Sequence, residues 1–407
     1  MQRRHVFSAV MLLAMAAAPA AAQNTDIRIR VDNQAIREAV DEIRQAMREA
    51  FGPDTRIELH RELTDVGRDI GDLAGAIAAA TADLTRDLSR EIGRDFGRDF
   101  RVLFNDSSSQ RNFPAAQTDT ERRAFTVGAN AEFDLENLSG DIEIRAGGGR
   151  EIIVEITRRA RGRTDANARE GLSRVRVETT QRGDRLMART VYPSGRQENY
   201  SVSVDYVVTA PAGTRITART VSGDVAVTAI TGDLSLHTTS GDVDATDTPR
   251  LAVAKTVSGD ITLRNVSAEG LLQAATMSGD VTATRVRARR IEMGTISGTV
   301  TLREADSDDV TLKATSGDLL FDGNLAKGGR YSFTSHSGDV RLALDGVVGF
   351  TFEASSFNGT VRTDLPVQLS GIGTGRRPNR NVRGTFGDGS AAVSVTSFSG
   401  DVVVTKR

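Results

Sequence analysis

The side chains best placed to do chemistry in this sequence form a row of aspartates. Asp224, Asp242, Asp260, Asp280, Asp318 and Asp339 each close a Ser-Gly-Asp triplet, and Thr299 interrupts the row. If the triplets stack, these carboxylates come within several Å of one another and repel. That repulsion is relieved by hydrogen bonds to turn N–H groups and solvent, by raised pKa values, or by a divalent cation. The row is therefore a candidate Ca²⁺ site, set against the structural alternative. The Gly-Gly-x-Gly-x-Asp nonapeptide that marks calcium-binding repeats is missing.

Little else could carry a reaction. The chain has no Cys, no Trp and four His, which leaves no thiol nucleophile, thiolate metal site or disulfide. His60 falls on a predicted helix. His237 and His336 lie about five repeat units apart, too far to share a metal or a proton relay, and each reads as a surface or turn residue. There is no catalytic triad and no local carboxylate pair. Gly147-Gly148-Gly149 is a turn rather than a phosphate cradle, since no helix or lysine follows it. No catalytic residues are assigned, and an enzyme is not expected. No cofactor is expected beyond the Ca²⁺ option. With 52 basic and 54 acidic residues and a formal net charge of -2, a nucleic-acid partner is also excluded.

The elements that must position the aspartates come from the repeat. Ser-Gly-Asp occurs at Ser139, Ser222, Ser240, Ser258, Ser278, Ser316, Ser337 and Ser399, with Ser297-Gly298-Thr299 and Asn358-Gly359-Thr360 as degenerate copies. From Ser222 to Asn358 the steps are 18, 18, 20, 19, 19, 21 and 21 residues. Each triplet reads as a tight turn, because its central glycine tolerates positive φ and its flanking residues hydrogen-bond nearby backbone. The turn glycines are Gly140, Gly223, Gly241, Gly259, Gly279, Gly298, Gly317, Gly338, Gly359 and Gly400.

After each turn come alternating apolar pairs such as Val225/Val227, Ile261/Leu263, Val300/Leu302, Val340/Leu342 and Val402/Val404. About ten residues on lies a second set: Leu234/Leu236, Leu251/Val253, Ile291/Met293, Val310/Leu312, Tyr331/Phe333 and Phe350/Phe352. Two short strands per unit, too small to bury their inward side chains alone, predict a stacked β-solenoid with strands about 4.8 Å apart. A surface row at Thr262, Thr282, Thr301, Arg341 and Arg362 presents a flat face. The less regular segments 124–215 and 364–390 are expected to cap the ends.

The N-terminal part is different. Residues 1–22 read as a signal peptide, with Arg3 and Arg4 before an apolar run and small Ala20 and Ala22 before a cut ahead of Gln23. No later stretch of the mature chain is apolar enough to span a bilayer. Residues 23–105 are expected to form a helical, coiled-coil-like arm with helices over about 33–51 and 55–104, broken at Gly52-Pro53. Its interaction face combines Leu63, Val66, Ile70, Leu73 and Ile77 with small Gly67, Gly71 and Gly75, suited to a partner helix. Further on, Asp83, Asp87, Glu91, Asp95 and Asp99 form an acidic row beside basic Arg86, Arg90, Arg94 and Arg98, mainly a solvated face laced with ion pairs. Residues 106–120 read as a polar linker, 121–215 as an N-terminal β subdomain or cap, and 216–407 as the solenoid with its C-terminal cap.

Residues 125–144, the run VDYVVTAPAGTRITARTVSG at 204–223 and the Ser-Gly-Asp array together resemble a family of bacterial exported adhesin-like proteins, a β-strand-repeat domain of unknown function. The resemblance covers about 121–407. It implies a solenoid-like fold and an envelope location, and it brings no catalytic residues.

The expected function is a non-catalytic envelope protein, in the periplasm or at the cell surface. It would be an adhesin-like or scaffold module that meets a protein or another envelope component, with homo-oligomers formed through the arm. The alternative is an envelope-stress or sensory protein acting through the arm. A polysaccharide-active enzyme is the third reading, and it requires acids clustered on a few adjacent units.

Overall fold

The computed structural model describes residues 113–193, 199–345, 347–366, 368–369 and 381–407. The signal peptide, the arm with Leu63, Val66, Gly67, Ile70, Gly71, Leu73, Gly75 and Ile77, and His60 lie outside the described residues.

The described chain is a β-solenoid with two strand ladders. The first ladder holds the strands that follow each turn. Its parallel steps run Ile142–Gly147, Val225–Thr228, Val243–Thr248, Ile261–Ser278, Val281–Ser297, Val300–Asp306, Leu319–Gly323 and Val340–Leu344. The second ladder holds the strands that lead into each turn: Glu132–Glu136, Arg215–Arg219, Leu234–His237 and Leu251–Lys255, then the later halves of the two long strands, Asp309–Ser316 and Arg330–Ser337. Inward side chains from both ladders form one core. In one coil Ile261, Leu263, Leu272 and Ala274 are each fully buried, and a buried Leu or Ile contributes about 1.5–3 kcal/mol.

Three features depart from the sequence expectation. Within the predicted pair Leu251/Val253, only Leu251 points inward. The register shifts between Leu234 and Ser235, so Ala254 takes the buried position and Val253 is half-exposed. The supposed linker 106–120 is strand from Ala115. Ala115–Thr126 pairs antiparallel with Glu151–Gly162 along its whole length. Its polarity marks an edge strand, where charged side chains are in water and discourage further pairing. A short helix also interrupts the N-terminal region at Asp165–Arg174. The Thr164 hydroxyl caps it by accepting the Asn167 N–H at 3.2 Å.

The coils do not stack wholly in sequence order. Ala391–Ser399 and Val402–Lys406, which flank the last triplet, pair on one side with Arg330–Ser337 and Val340–Leu344. On the other side they pair with Phe350–Ser356 and Val361–Thr363. The final coil is thus inserted beneath the Asn358 coil. The first coil is treated alike: Glu132–Glu136 and Ile142–Gly147 lie between the Ser222 coil and the strands Arg185–Val191 and Tyr200–Pro211. Beyond these outer coils lie antiparallel strands: Arg176–Arg182 and Glu151–Gly162 at one end, Asn381–Phe386 and Gln368–Leu369 at the other. Three of the four ladder ends thus finish in antiparallel strands, whereas Val361–Thr363 pairs only with Val402–Lys406 among the described strands.

The turn glycines are the closest backbone contacts of the stack. Nine of the ten named have φ between +117° and +158°; Gly359 is the exception. An added Cβ would sit 2.1 Å from the neighbouring carbonyl oxygen at Gly223, Gly241, Gly259, Gly279, Gly298 and Gly359 alike. Gly259→Ala should therefore destabilise the protein by at least about 3 kcal/mol, with strain and backbone clash combined. Gly270→Ala, at an exposed site with nothing within 4 Å, should stay within about 0.5 kcal/mol. Urea denaturation of both variants checks this.

Candidate functional site

The turn side of the solenoid holds the aspartate row, and its chemistry is backbone capping. Asp141 Oδ1 accepts the Asp224 N–H at 3.0 Å. Asp224, Asp242 and Asp260 accept the next aspartate's N–H at 2.8 Å each. Asp280 accepts Thr299 at 2.7 Å, Asp318 accepts Asp339 at 2.8 Å, and Asp339 accepts Asp401 at 2.9 Å. Asp401 in turn accepts both the N–H and the hydroxyl of Thr360, which hold its carboxyl below the usual value. Arg341 bridges Asp318 at 3.0 Å and Asp339 at 2.7 Å. The repulsion expected between stacked carboxylates is thus offset by turn N–H donors and one guanidinium. Among the described residues no group of three or more His, Asp or Glu is placed to hold a metal ion.

A second column was missed by the sequence reading. Two residues before most turn triplets stands a buried hydroxyl that donates to the glycine carbonyl of the adjacent coil, with Ala314 before Ser316 and Asn137 before Ser139 as exceptions. Thr238 reaches Gly223 at 3.0 Å, Thr256 reaches Gly241 at 2.9 Å, Thr276 reaches Gly259 at 3.0 Å, and Thr295 reaches Gly279 at 3.0 Å. Ser335, Ser356 and Ser397 do the same for Gly317, Gly400 and Gly338. The signal was present as a Thr/Ser-x-Ser-Gly-Asp pattern.

His237 and His336 both lie in strands rather than in turns. His237 is buried, with Nε2 2.9 Å from the Ser235 hydroxyl. His336 stacks on Phe398, and Phe398 on Phe357, with ring centroids 4.9 Å apart in each case. Burial holds the His336 imidazole below its usual pKa. The flat row is broken, because Leu320 stands between Thr301 and Arg341 and Val403 between Arg341 and Arg362. Asp244 extends it at the other end. Burial raises the Asp244 carboxyl, opposed by Arg264 at 3.7 Å and reinforced by Asp242 and Asp224.

The first-ladder strands end in a corner that places side chains in a groove. Ala229, Asp247, Asn265, Arg285 and Glu304 all adopt left-handed backbone there, with φ between 53° and 60°. Asp and Asn tolerate this region, whereas for Ala, Arg and Glu it costs about 1–2 kcal/mol. The buried residues that follow, such as Val266 and Val286, anchor the bend. The groove has a volume of ≈ 560 Å³ and is lined by Asp247, Asn265, Ser267, Arg285, Arg287 and Glu304, among others. Asn265 donates its amide to Asp247 at 2.6 Å, Ser267 its hydroxyl to the Pro249 carbonyl at 3.0 Å, and Arg287 pairs with Asp306 at 2.8 Å. Asp247, Glu304 and Asp306 are all exposed, without the burial that makes a carboxyl a general acid. The groove offers hydrogen bonds and charge of both signs.

The comparison with known families decides the relationship. The family described as Toastrack DUF4097 matches residues 130–405. The chain belongs to the Toastrack DUF4097 family. No curated protein matches this Toastrack chain. Among solved structures it is similar to a "putative adhesin" of Parabacteroides distasonis, at 11% identity and a TM-score of 0.36, covering 71% of this chain and 97% of that one. A "putative adhesin" of Bacteroides fragilis gives 13%, 0.34, 70% and 97%, and a "putative lipid binding protein" of P. distasonis gives 9%, 0.32, 71% and 97%. The Toastrack match at residues 130–405 takes in the solenoid coils, so what the family shows here is the fold.

Asp260→Ala should cost about 1 kcal/mol by removing the acceptor of the Asp280 N–H, whereas Asp260→Asn keeps an acceptor and should stay close to wild type. Millimolar Ca²⁺ should leave Tm unshifted; a rise that Asp260→Ala abolishes would assign the row to a cation. The depressed His336 pKa has a definite sign. The folded state takes up this proton less readily than the unfolded chain, so stability is lost as pH falls from about 6.5 towards the folded value. Thermal melts from pH 7.5 to 5 should therefore show wild type losing more stability than His336→Phe.

Proposed function

We propose that this protein is a non-catalytic interaction module of the bacterial cell envelope, adhesin-like or scaffolding in role. In it the solenoid is a rigid support and the left-handed corner groove is the recognition surface. The observation that carries this reading is the groove itself. Four adjacent coils hold polar side chains in one row by a left-handed bend that is unfavourable for Arg285 and Glu304, and among the described residues no nucleophile–base pair stands with them. Repeated strain that aims side chains outward is a feature of binding surfaces.

Export to the periplasm or surface is supported by the basic and apolar N-terminal sequence and by a cysteine-free composition suited to oxidising surroundings. No helix among the described residues is long and apolar enough to cross a membrane. The polysaccharide-active reading is weaker. Asp306 is committed to Arg287 and Asp247 to Asn265, so two of the groove's acids are already partnered.

In-cell photocrosslinking tests the proposal, with benzoylphenylalanine placed at Ser267, Arg287 or, as a control, exposed Ser332 on the second ladder. Discrete adducts are expected from the two groove positions and not from Ser332. The same adduct pattern from all three positions would remove the groove from recognition.

A further inference from the structure

The second ladder carries an anomaly on its outer face. Its strands alternate inward and outward side chains, as in Leu234 and Leu236 inward with Ser235 outward. The next outward position should face water. Arg219, His237, Lys255, Ala275, Gly294 and Lys313 occupy it in register on six successive coils. Yet His237, Lys255 and Ala275 are only 8%, 6% and 3% exposed, and Gly294 is buried as well. Further along the stack the same position is exposed at Lys313 and half-exposed at Thr334. Burial on an outward face is thus confined to four neighbouring coils.

The adjoining outward column, one residue before each turn serine, is apolar over the same stretch except at buried Thr239. Val221 is buried there, and Val257, Met277 and Ile296 are half-buried. Among the described elements, the helix packs on Ala115–Thr126, Glu151–Gly162 and Tyr200–Pro211, all strands of the first ladder, and no described strand crosses the second. The patch has a mostly apolar column, a notch of Ala275 and Gly294 without bulk, and the cationic groups of Arg219, Lys255 and Lys313 around them, with the His237 ring in the same row.

We propose that residues 83–104 of this same chain dock on that patch as an amphipathic helix. The sequence fits in three respects. Leu84, Leu88, Ile92, Phe96 and Phe100 recur every fourth residue, a row that a helix places on one side. The residue before each is acidic, namely Asp83, Asp87, Glu91, Asp95 and Asp99, which sets carboxylates beside the apolar row and against the cationic column. The residue after most of them is small, namely Thr85, Ser89, Gly93 and Gly97, which lets a helix approach the Ala275/Gly294 notch closely.

The chain is also long enough. Ten residues separate 105 from Ala115 and can span about 33 Å. Along the first ladder, Ala115–Thr126 lies four strand steps from the Ser222 coil, or about 19 Å. The occupant is thus an internal strap.

The cysteine-free chain allows a direct test. Ala275→Cys is introduced into the full-length protein, and its reaction with a maleimide is timed with and without residues 83–104. A triple variant, Leu88→Asp with Ile92→Asp and Phe96→Asp, keeps the chain length. The thiol should react at least tenfold more slowly in the intact chain, and both changes should abolish that protection. Equal rates in all three proteins would overturn the proposal. Benzoylphenylalanine at Met277 separates the occupants. An adduct within the monomer that maps to residues 83–104 is expected, whereas a covalent dimer would place a second copy on the patch and overturn docking within the chain.

Discussion

The backbone of one turn lies directly against the backbone of the next, and everything else in the solenoid is arranged around that contact. A carbonyl oxygen occupies the place where a side chain would begin, at 2.1 Å from an added Cβ on coil after coil. Only glycine permits it, and at all the turn glycines but Gly359 it does so with a positive φ. Once the glycines are stacked, the strands on either side are placed at ladder spacing, and the two ladders close on a core of inward Val, Ile and Leu. The aspartate and hydroxyl columns then satisfy what the turn leaves open: the carboxylate takes the next turn's N–H, and the hydroxyl gives its proton to the glycine carbonyl.

One joint lacks both clamps. Thr299 stands where an aspartate would face the Asp318 N–H, and Ala314 stands where a hydroxyl would face the Gly298 carbonyl. Hydrophobic contact, backbone hydrogen bonds and the Ser307 hydroxyl, which donates to the Arg289 carbonyl at 3.1 Å, hold these two coils. The groove ends near the same place, with Glu304 and Asp306 from the coil of Ser297. The recognition surface thus abuts the least clamped part of the turn column.

Much of this was legible in the sequence because the repeat is strict. A triplet every 18–21 residues sets the coil length, and alternation on either side sets which residues point inward. The hydroxyl column was equally periodic but was hidden, because a polar residue within an apolar run reads as an outward position unless its partner is known. The left-handed corner could not be read at all. Ala229, Arg285 and Glu304 are poor markers of positive φ, and only the bend imposed by the coil places them there. The insertion of the first and last coils was also out of reach, since Ser139 and Ser399 carry the same triplet as their neighbours and stacking order is a tertiary choice. The strand at Ala115 was read as linker because edge strands and linkers share polar composition.

The account turns on the aspartates being structural, and residue-resolved amide hydrogen exchange measures that most directly. The amides of Asp242, Asp260 and Asp280, each bonded to a carboxylate on the preceding coil, should be protected to near the global stability of the fold. The Asp318 amide, opposite Thr299, should exchange distinctly faster. Exchange of all four at the rate of open loops would contradict a capped column and leave the carboxylates free for another role.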